Sequence, residues 1–146
     1  MKVTTEIDVT PKQYFKHLCE ITIKDIKKSS GKDVTIADLM DGYHYEKTLN
    51  YKKRSIIIAM NVGPLIMDKY FSVAYETPET KCVYYYDFFI RDGKNYVTYC
   101  EDNNYKKETV GNYFGNLRRK FKEKALKNKI FNNIELTTTY IKNHEN

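Results

Sequence analysis

The first nine residues alternate between two kinds of side chain. One set of positions is mostly apolar and consists of Val3, Thr5, Ile7 and Val9. It alternates with a polar set that consists of Lys2, Thr4, Glu6 and Asp8. A period of two is typical of a strand with one buried face, because successive side chains point to opposite sides of a sheet. The pattern therefore predicts a half-buried strand.

A helix is predicted directly after this strand. The Thr10 hydroxyl can cap free backbone amides, Pro11 suits the first helical position, and Gln13 completes a capping box. The helix is expected to end at about Ser29, before a Ser-Gly stop. Its apolar arc consists of Tyr14, Phe15, Leu18, Cys19, Ile21 and Ile26. We expect this arc to pack on the core.

The period then returns to two, after one short helical turn at about Thr35 to Met40. Further strands are predicted near Tyr43–Leu49, Ser55–Val62, Lys69–Thr77, Lys81–Arg91 and Asn95–Asp102. Turn residues separate these runs, at Gly63-Pro64, Pro78 and Asp92-Gly93. Consecutive strands joined by short turns form an antiparallel meander.

A long helix is predicted to finish the chain. Its apolar stripe consists of Val110, Phe114, Leu117, Phe121 and Ala125. Such a stripe must be buried, so we expect this helix to pack on the sheet. Gly111 and Gly115 flank the stripe one turn apart and favour a close approach of another element. Beyond Lys129 further apolar positions continue, although a run of three threonines disfavours helix there.

Composition bounds the class of protein. The chain has 146 residues, which suits one domain, with 41% hydrophobic and 30% charged residues. No apolar run approaches the ~20 residues that span a bilayer. The first residues form no secretory signal, so a cytoplasmic location is expected. Cys19, Cys82 and Cys100 lack metal-ligand spacing and are expected to be reduced thiols. The abundance of Lys, Asn, Ile and Tyr suggests an AT-rich bacterial genome.

The net charge of +6 is concentrated in the last helix. The basic run consists of Arg118, Arg119, Lys120, Lys122, Lys124, Lys127 and Lys129. Most of these residues point away from the apolar stripe, and Glu123 can pair with Arg119 and Lys127, so a solvated helix face is favoured. No nucleic-acid-binding motif accompanies the charge, so nucleic acid is not a favoured partner. Weak contact with a membrane surface stays open as an alternative.

Three segments carry a resemblance to a known family. They are Gly42 to Thr48 (GYHYEKT), Val97 to Tyr99 (VTY) and, most specifically, Val110 to Lys122 (VGNYFGNLRRKFK). With the order of elements, they make the chain resemble the START-like (SRPBCC) helix-grip superfamily. Within it the chain looks most like a family of small uncharacterised bacterial proteins, a domain of unknown function.

The resemblance implies an α+β fold for residues 1–146 as one domain. A curved antiparallel sheet of about six strands would wrap around the long C-terminal helix, with an apolar cavity between them. Members of the superfamily bind lipids, hormones and other hydrophobic molecules, and some are hydrolases, cyclases or chaperone partners. The nearest family brings no catalytic residues, so fold likeness leaves the function open.

Tyrosine-rich strands supply the candidate site. Tyr is amphipathic, so it can line a cavity and also offer a hydroxyl to a ligand. The predicted lining consists of Tyr43, Tyr45, Ile58, Phe71, Val73, Tyr84, Tyr86, Phe88, Tyr99, Phe114 and Leu117. Faces are assigned by alternation, so a slip of one residue would invert each strand. The competing interpretation is that these residues only fill the core and cover the sheet.

No catalytic constellation, metal site or cofactor site is predicted. His44 and Glu46 share a strand face but lack a nucleophile, so a surface pair is favoured over an acid–base dyad. Asp87, Arg91 and Glu101 are expected to face outward, although an inward carboxylate would be a site candidate.

Three functions follow from these patterns. The favoured one is non-catalytic binding of a small hydrophobic or amphipathic molecule between the sheet and the last helix. The alternative is a protein-interaction or regulatory domain whose cavity is filled by its own side chains, with a homodimer as one form of it. An enzyme is the third and least supported.

Overall fold

A computed structural model describes the backbone of residues 1–105 and 113–144, and the side chains of residues 1–50, 52–103 and 122–144. The elements in chain order are β1 (Lys2–Ile7), α1 (Pro11–Ser30), α2 (Ile36–Met40), β2 (Tyr43–Tyr51), β3 (Arg54–Ile66), β4 (Tyr70–Glu76), β5 (Thr80–Arg91), β6 (Lys94–Tyr105) and α3 (Tyr113–His144). This is the predicted α+β helix-grip arrangement, a curved sheet with a long C-terminal helix.

The sheet contains six antiparallel strands in the order β1-β6-β5-β4-β3-β2. Strands β2 to β6 form the predicted meander, and β1 joins it by pairing with β6, with Val3 opposite Tyr99. The edges of the sheet are therefore β1 and β2. Helices α1 and α2 connect these two edges and pack on the concave face.

Helix α1 begins and ends as the sequence predicts. The Gln13 amide donates to the Thr10 hydroxyl at 3.1 Å, and the Thr10 amide donates to the Gln13 side chain at 2.9 Å. Gly31 ends the helix in the left-handed region, at a φ of 73°. The buried residues are Tyr14, Phe15, Leu18, Cys19 and Ile26. The prediction that Ile21 belongs to this buried arc is wrong, since Ile21 is 46% exposed at the border of the helix face.

Helix α3 is held to the rest of the molecule by its C-terminal half. Ile130, Ile134, Thr138 and Ile141 are buried, where α3 packs against β1 and α1. The threonine run does not interrupt the helix, and the buried Thr138 hydroxyl is satisfied by donating to the Ile134 carbonyl at 2.8 Å. Of the predicted stripe, Ala125 is exposed. The side chains of Phe114, Leu117 and Phe121, and all of Val110, lie outside the described residues, as does Gly111.

One predicted turn is wrong. Gly63 and Pro64 do not separate two strands but lie inside β3, at a change of register between Val62 and Leu65. Gly63 has a φ of 114°, which suits glycine alone, and this permits the irregularity within the strand. The turn to β4 follows Ile66 and contains Asp68, at a φ of 58°.

The packing of α3 generates a prediction about stability. Ile141→Ala removes a side chain that is 1% exposed and leaves a cavity, so it should lower the free energy of unfolding by about 2–5 kcal/mol. Leu136→Ala is a matched control on the same helix. Leu136 is 68% exposed, so its truncation should change the free energy of unfolding by less than about 0.5 kcal/mol. Urea denaturation measures both, and equal effects would contradict the docking of this helix.

Candidate ligand-binding face

The concave face of the sheet collects the predicted site residues. The nine whose side chains the structure describes are Tyr43, Tyr45, Ile58, Phe71, Val73, Tyr84, Tyr86, Phe88 and Tyr99. Four of these are buried in the core, namely Tyr45, Phe71, Val73 and Phe88. The other five are partly buried and pack against that core. The side chains of Phe114 and Leu117 lie outside the described residues, so their predicted role stays a prediction.

A tyrosine cluster occupies the middle of this face. It comprises Tyr75, Tyr84, Tyr86 and Tyr99, and each ring contacts at least one other member. The centroids of Tyr86 and Tyr99 are 5.0 Å apart, and Tyr84 lies 6.4 Å from Tyr86 and 6.2 Å from Tyr99. Tyr75 continues the cluster at 6.3 Å from Tyr84. These separations and tilted orientations are those of favourable aromatic pairs.

The two long helices close one side of the cluster. The ring of Tyr14 on α1 lies 5.9 Å from Tyr86 and 5.3 Å from Phe88. Between α1, the sheet and α3 there is a cavity of about 80 Å³. Its lining consists of Tyr14, Tyr86, Tyr99, Ile130, Asn133, Ile134 and Thr137. This cavity brings two predicted site residues against α3.

A hydrogen-bonded carboxylate lies near the cluster, and the sequence patterns did not indicate it. Asp25 on α1 accepts from the Tyr45 hydroxyl at 2.5 Å and from the Lys47 ammonium at 3.2 Å. Burial and this carboxylate raise the pKa of Tyr45 above its ordinary value. The signal in the sequence was the position of Asp25, seven residues after Leu18 and hence on the same helix face.

A second carboxylate corrects an expectation. Glu101 is expected from the sequence to face outward, but it lies opposite Tyr84 of the neighbouring strand and shares the concave face with Tyr84 and Tyr99. Its carboxylate is 3.7 Å from the Cys82 thiol, which donates to it. Burial first, and the Glu101 charge second, raise the pKa of Tyr86 to about 12. The same two causes raise the pKa of Tyr99.

The other charged candidates lie away from this face. Asp87 is on the convex side, where the Lys69 ammonium donates to it at 2.6 Å. Arg91 lies over the Phe89 ring, 5.4 Å from its centroid. His44 contacts the side-chain oxygen of Asn61 at 2.8 Å and is exposed, so no dyad with Glu46 forms. On α3, Lys127 pairs with Glu123 at 3.6 Å, as the sequence predicts.

A larger hollow lies at the tips of the hairpins. It has a volume of about 590 Å³. Its lining consists of Leu49, Arg54, Ser55, Ile56, Ile57, Ile58, Thr77, Pro78 and Glu79. Ile57 faces the convex side of β3, whereas the adjacent Ile58 faces the concave side. The hollow is therefore an alternative place for an apolar molecule. Ile58 borders both the hollow and the concave face, whereas Ile57 borders the hollow alone, so Ile57 distinguishes the two places.

Metal-binding groups and membrane-spanning helices are both absent from the part of the chain that the structure describes. Among the described side chains, no three His, Cys, Asp or Glu residues are grouped to hold a metal ion. No helix in residues 1–105 or 113–144 is both long and apolar enough to cross a membrane.

Comparison with known proteins places the chain in a family. A family model described as domain of unknown function (DUF3284) matches residues 1–117. The chain belongs to the DUF3284 family. This agrees with the likeness to a family of unknown function that the sequence motifs indicated. No curated protein matches the chain.

Solved structures share the fold of this DUF3284 protein. TTHA0849 from Thermus thermophilus matches with a TM-score of 0.60 at 9% identity, over 100% of this chain and 99% of that one. SA2116 from Staphylococcus aureus, a protein of unknown function, matches with a TM-score of 0.58 at 16% identity, over 97% and 91%. Ara h 8.0201 matches with a TM-score of 0.57 at 8% identity, over 99% and 97%. Such low identities establish the fold alone.

The raised tyrosine pKa values predict an alkaline transition in this DUF3284 protein. A tyrosine whose folded pKa lies above the unfolded value of about 10 keeps its proton longer when folded. Its contribution to stability is complete below about pH 10 and is lost as the pH rises toward the folded pKa, which for Tyr86 is about 12.

The free energy of unfolding should therefore fall between about pH 10 and pH 12. Absorbance of tyrosinate should show one group of tyrosines ionising late, together with the loss of the near-ultraviolet circular dichroism signal. Ionisation of all 14 tyrosines in one step near pH 10, with the fold intact, would contradict the burial of the cluster.

Proposed function

We propose that the chain binds a small, largely apolar or amphipathic molecule on the concave face of the sheet, without catalysing a reaction on it. The observation that carries this proposal is the partial exposure of Tyr43, Ile58, Tyr75, Tyr84, Tyr86 and Tyr99 on one continuous face. A core made for stability alone would bury these large side chains more fully.

The chemistry of the face supports an amphipathic ligand. Tyrosine rings offer apolar area with little conformational entropy to lose, and their hydroxyl groups can bind a polar atom. The carboxylates of Asp25 and Glu101 add polar groups at the border of the rings. A mostly apolar surface with a few placed polar groups is the usual composition of a small-molecule site.

Volume sets a condition on the proposal. Ligand pockets have volumes of roughly 300–1,000 Å³. The cavity beside Tyr14 is about 80 Å³ and is too small for such a ligand by itself. The ligand must therefore lie across the tyrosine cluster, with that cavity as one end of its site. Phe114 and Leu117 remain proposed members of the lining.

The finer family placement is part of this proposal. The fold and the sequence motifs support membership of the START-like superfamily, whose members bind hydrophobic molecules in the same part of the fold. We infer a cytoplasmic bacterial binding protein on the basis of the composition and of the superfamily. Binding to nucleic acid is not part of the proposal, since no nucleic-acid-binding motif accompanies the basic residues.

A second candidate function is docking of another protein on the convex face. Phe89 and Tyr96 are stacked there at 5.2 Å, and Val83 on the same face is 40% exposed. Phe89 and Tyr96 are partly exposed, and an accessible aromatic surface is typical of an interaction site, including a homodimer. Sedimentation equilibrium tests the homodimer directly, and a monomer at all concentrations would remove that form of the alternative.

Two adjacent isoleucines test the site of binding. A neutral fluorescent probe such as phenylnaphthylamine should bind the wild-type protein with an increase in fluorescence. Ile58→Asn places a polar amide on the concave face and should weaken probe binding about tenfold, since burying an unpaired polar group costs about 1–3 kcal/mol. Fluorescence titration measures the dissociation constants.

Ile57→Asn is the matched control, because it makes the same change one residue away on the opposite face. Its dissociation constant for the probe should stay within about twofold of the wild-type value, because the changed side chain does not touch the probe. Loss of binding in Ile57→Asn, whether or not Ile58→Asn also loses it, would move the site to the hairpin hollow, because Ile57 lines the hollow and not the concave face. No binding by the wild-type protein would reject the proposed function. Circular dichroism must show that both variants are folded.

A further inference from the structure

The position of Glu101 within the tyrosine cluster carries an inference about the class of ligand. Glu101 is half-buried on the concave face, where it lies directly opposite Tyr84 of the neighbouring strand β5. Tyr99 precedes it by two residues on the same face of β6, and the ring of Tyr99 contacts those of Tyr84 and Tyr86. The carboxylate is therefore bordered by aromatic rings.

The two carboxylates of this face differ in their partners. Asp25 forms an ion pair with Lys47 at 3.2 Å. Among the side chains described, no Lys, Arg or His forms an ion pair with the Glu101 carboxylate, which accepts from the neutral Cys82 thiol. The Met1 ammonium donates at 2.8 Å to the backbone carbonyl of Glu101 and not to its carboxylate. A half-buried carboxylate without a cationic partner favours a ligand that supplies one.

The rings beside Glu101 have the matching chemistry. The faces of tyrosine rings attract cations, and several rings together form the aromatic cages that bind ammonium groups. Both phenols are neutral at physiological pH, as tyrosines ordinarily are, so neither carries a charge that would compete with Glu101 for a cation. A cation here would contact the ring faces and the carboxylate at once, whereas an anion would be repelled by Glu101.

We propose that the tyrosine cluster selects a cationic amphiphile, with its ammonium group beside Glu101 and its apolar part across Tyr84 and Tyr75. The proposal rests on the binding function proposed above and specifies the charge of the ligand. The overall charge of the protein acts in the opposite direction, since a net charge of +6 attracts anions at long range. A preference for cations must therefore arise locally.

Matched amphiphiles test this selectivity. Decyltrimethylammonium, decyldimethylphosphine oxide and decyl sulfate share one alkyl chain and have compact head groups that are cationic, neutral and anionic. Each is used below its micelle concentration, at an ionic strength of about 0.15 M, to displace the neutral fluorescent probe from the wild-type protein. The cation should bind about tenfold more tightly than the anion, with the neutral amphiphile between them.

Glu101→Gln should lower the ratio of cation to anion affinity several-fold, because it removes the charge and keeps the shape, while the ring faces still attract a cation. Asp102→Asn is the matched control, since Asp102 is exposed on the other face of the same strand. It should keep the wild-type ratio. Comparing ratios within each variant cancels any uniform loss of affinity.

The outcomes separate this inference from the function on which it rests. Equal affinities for the three amphiphiles, or a preference for the sulfate, would overturn the cation selectivity and leave apolar binding intact. A cation preference as large in Glu101→Gln as in the wild-type protein would overturn the role of Glu101. Failure of the wild-type protein to bind the probe or any amphiphile would reject binding itself, and the selectivity with it.

Discussion

The contact of Tyr14 with Phe88 and Tyr86 determines how the concave face is divided. It joins α1 to the central strand β5, with ring centroids 5.3 and 5.9 Å apart. Tyr14 and Phe88 are each 1% exposed, so both rings belong to the buried core. Farther along the same strand, Tyr84 packs on other tyrosines and retains part of its exposure. One aromatic contact thus separates a core from an accessible surface on a single strand.

Much of this division could be predicted from the sequence. The alternation of side chains along β5 assigns Tyr84, Tyr86 and Phe88 to one face. Once one of them is buried, every second residue of the strand must point to the same side. The turn predicted at Gly63-Pro64 was wrong, because glycine and proline occur at irregularities inside strands as well as in turns. Glu101 was expected to face outward and Asp25 was not singled out, because charge predicts exposure and their inward positions depend on contacts between residues distant in sequence. The volume of a cavity is likewise a property of tertiary packing that alternation cannot supply.

The proposed function depends on incomplete packing of side chains on the concave face. The C-terminal half of α3 is held by Ile130, Ile134 and Ile141, and the cavity it forms with Tyr14 is about 80 Å³. The tyrosines beyond that cavity offer apolar area, and Glu101 adds charge at its border. The three solved structures compared above have 8–16% identity with this chain, so they bear on its shape and not on its ligand. The proposal of binding therefore rests on the side chains of the concave face, and the fold determines only where that face lies.

The most direct measurement is a crystal structure of the protein grown with a neutral amphiphile such as decanol. The account predicts electron density for the alkyl chain against the rings of Tyr84, Tyr86 and Tyr99, on the concave side of the sheet. Density confined to the convex side beside Ile57, or tyrosine rings closed over a solid interior at saturating decanol, would contradict it.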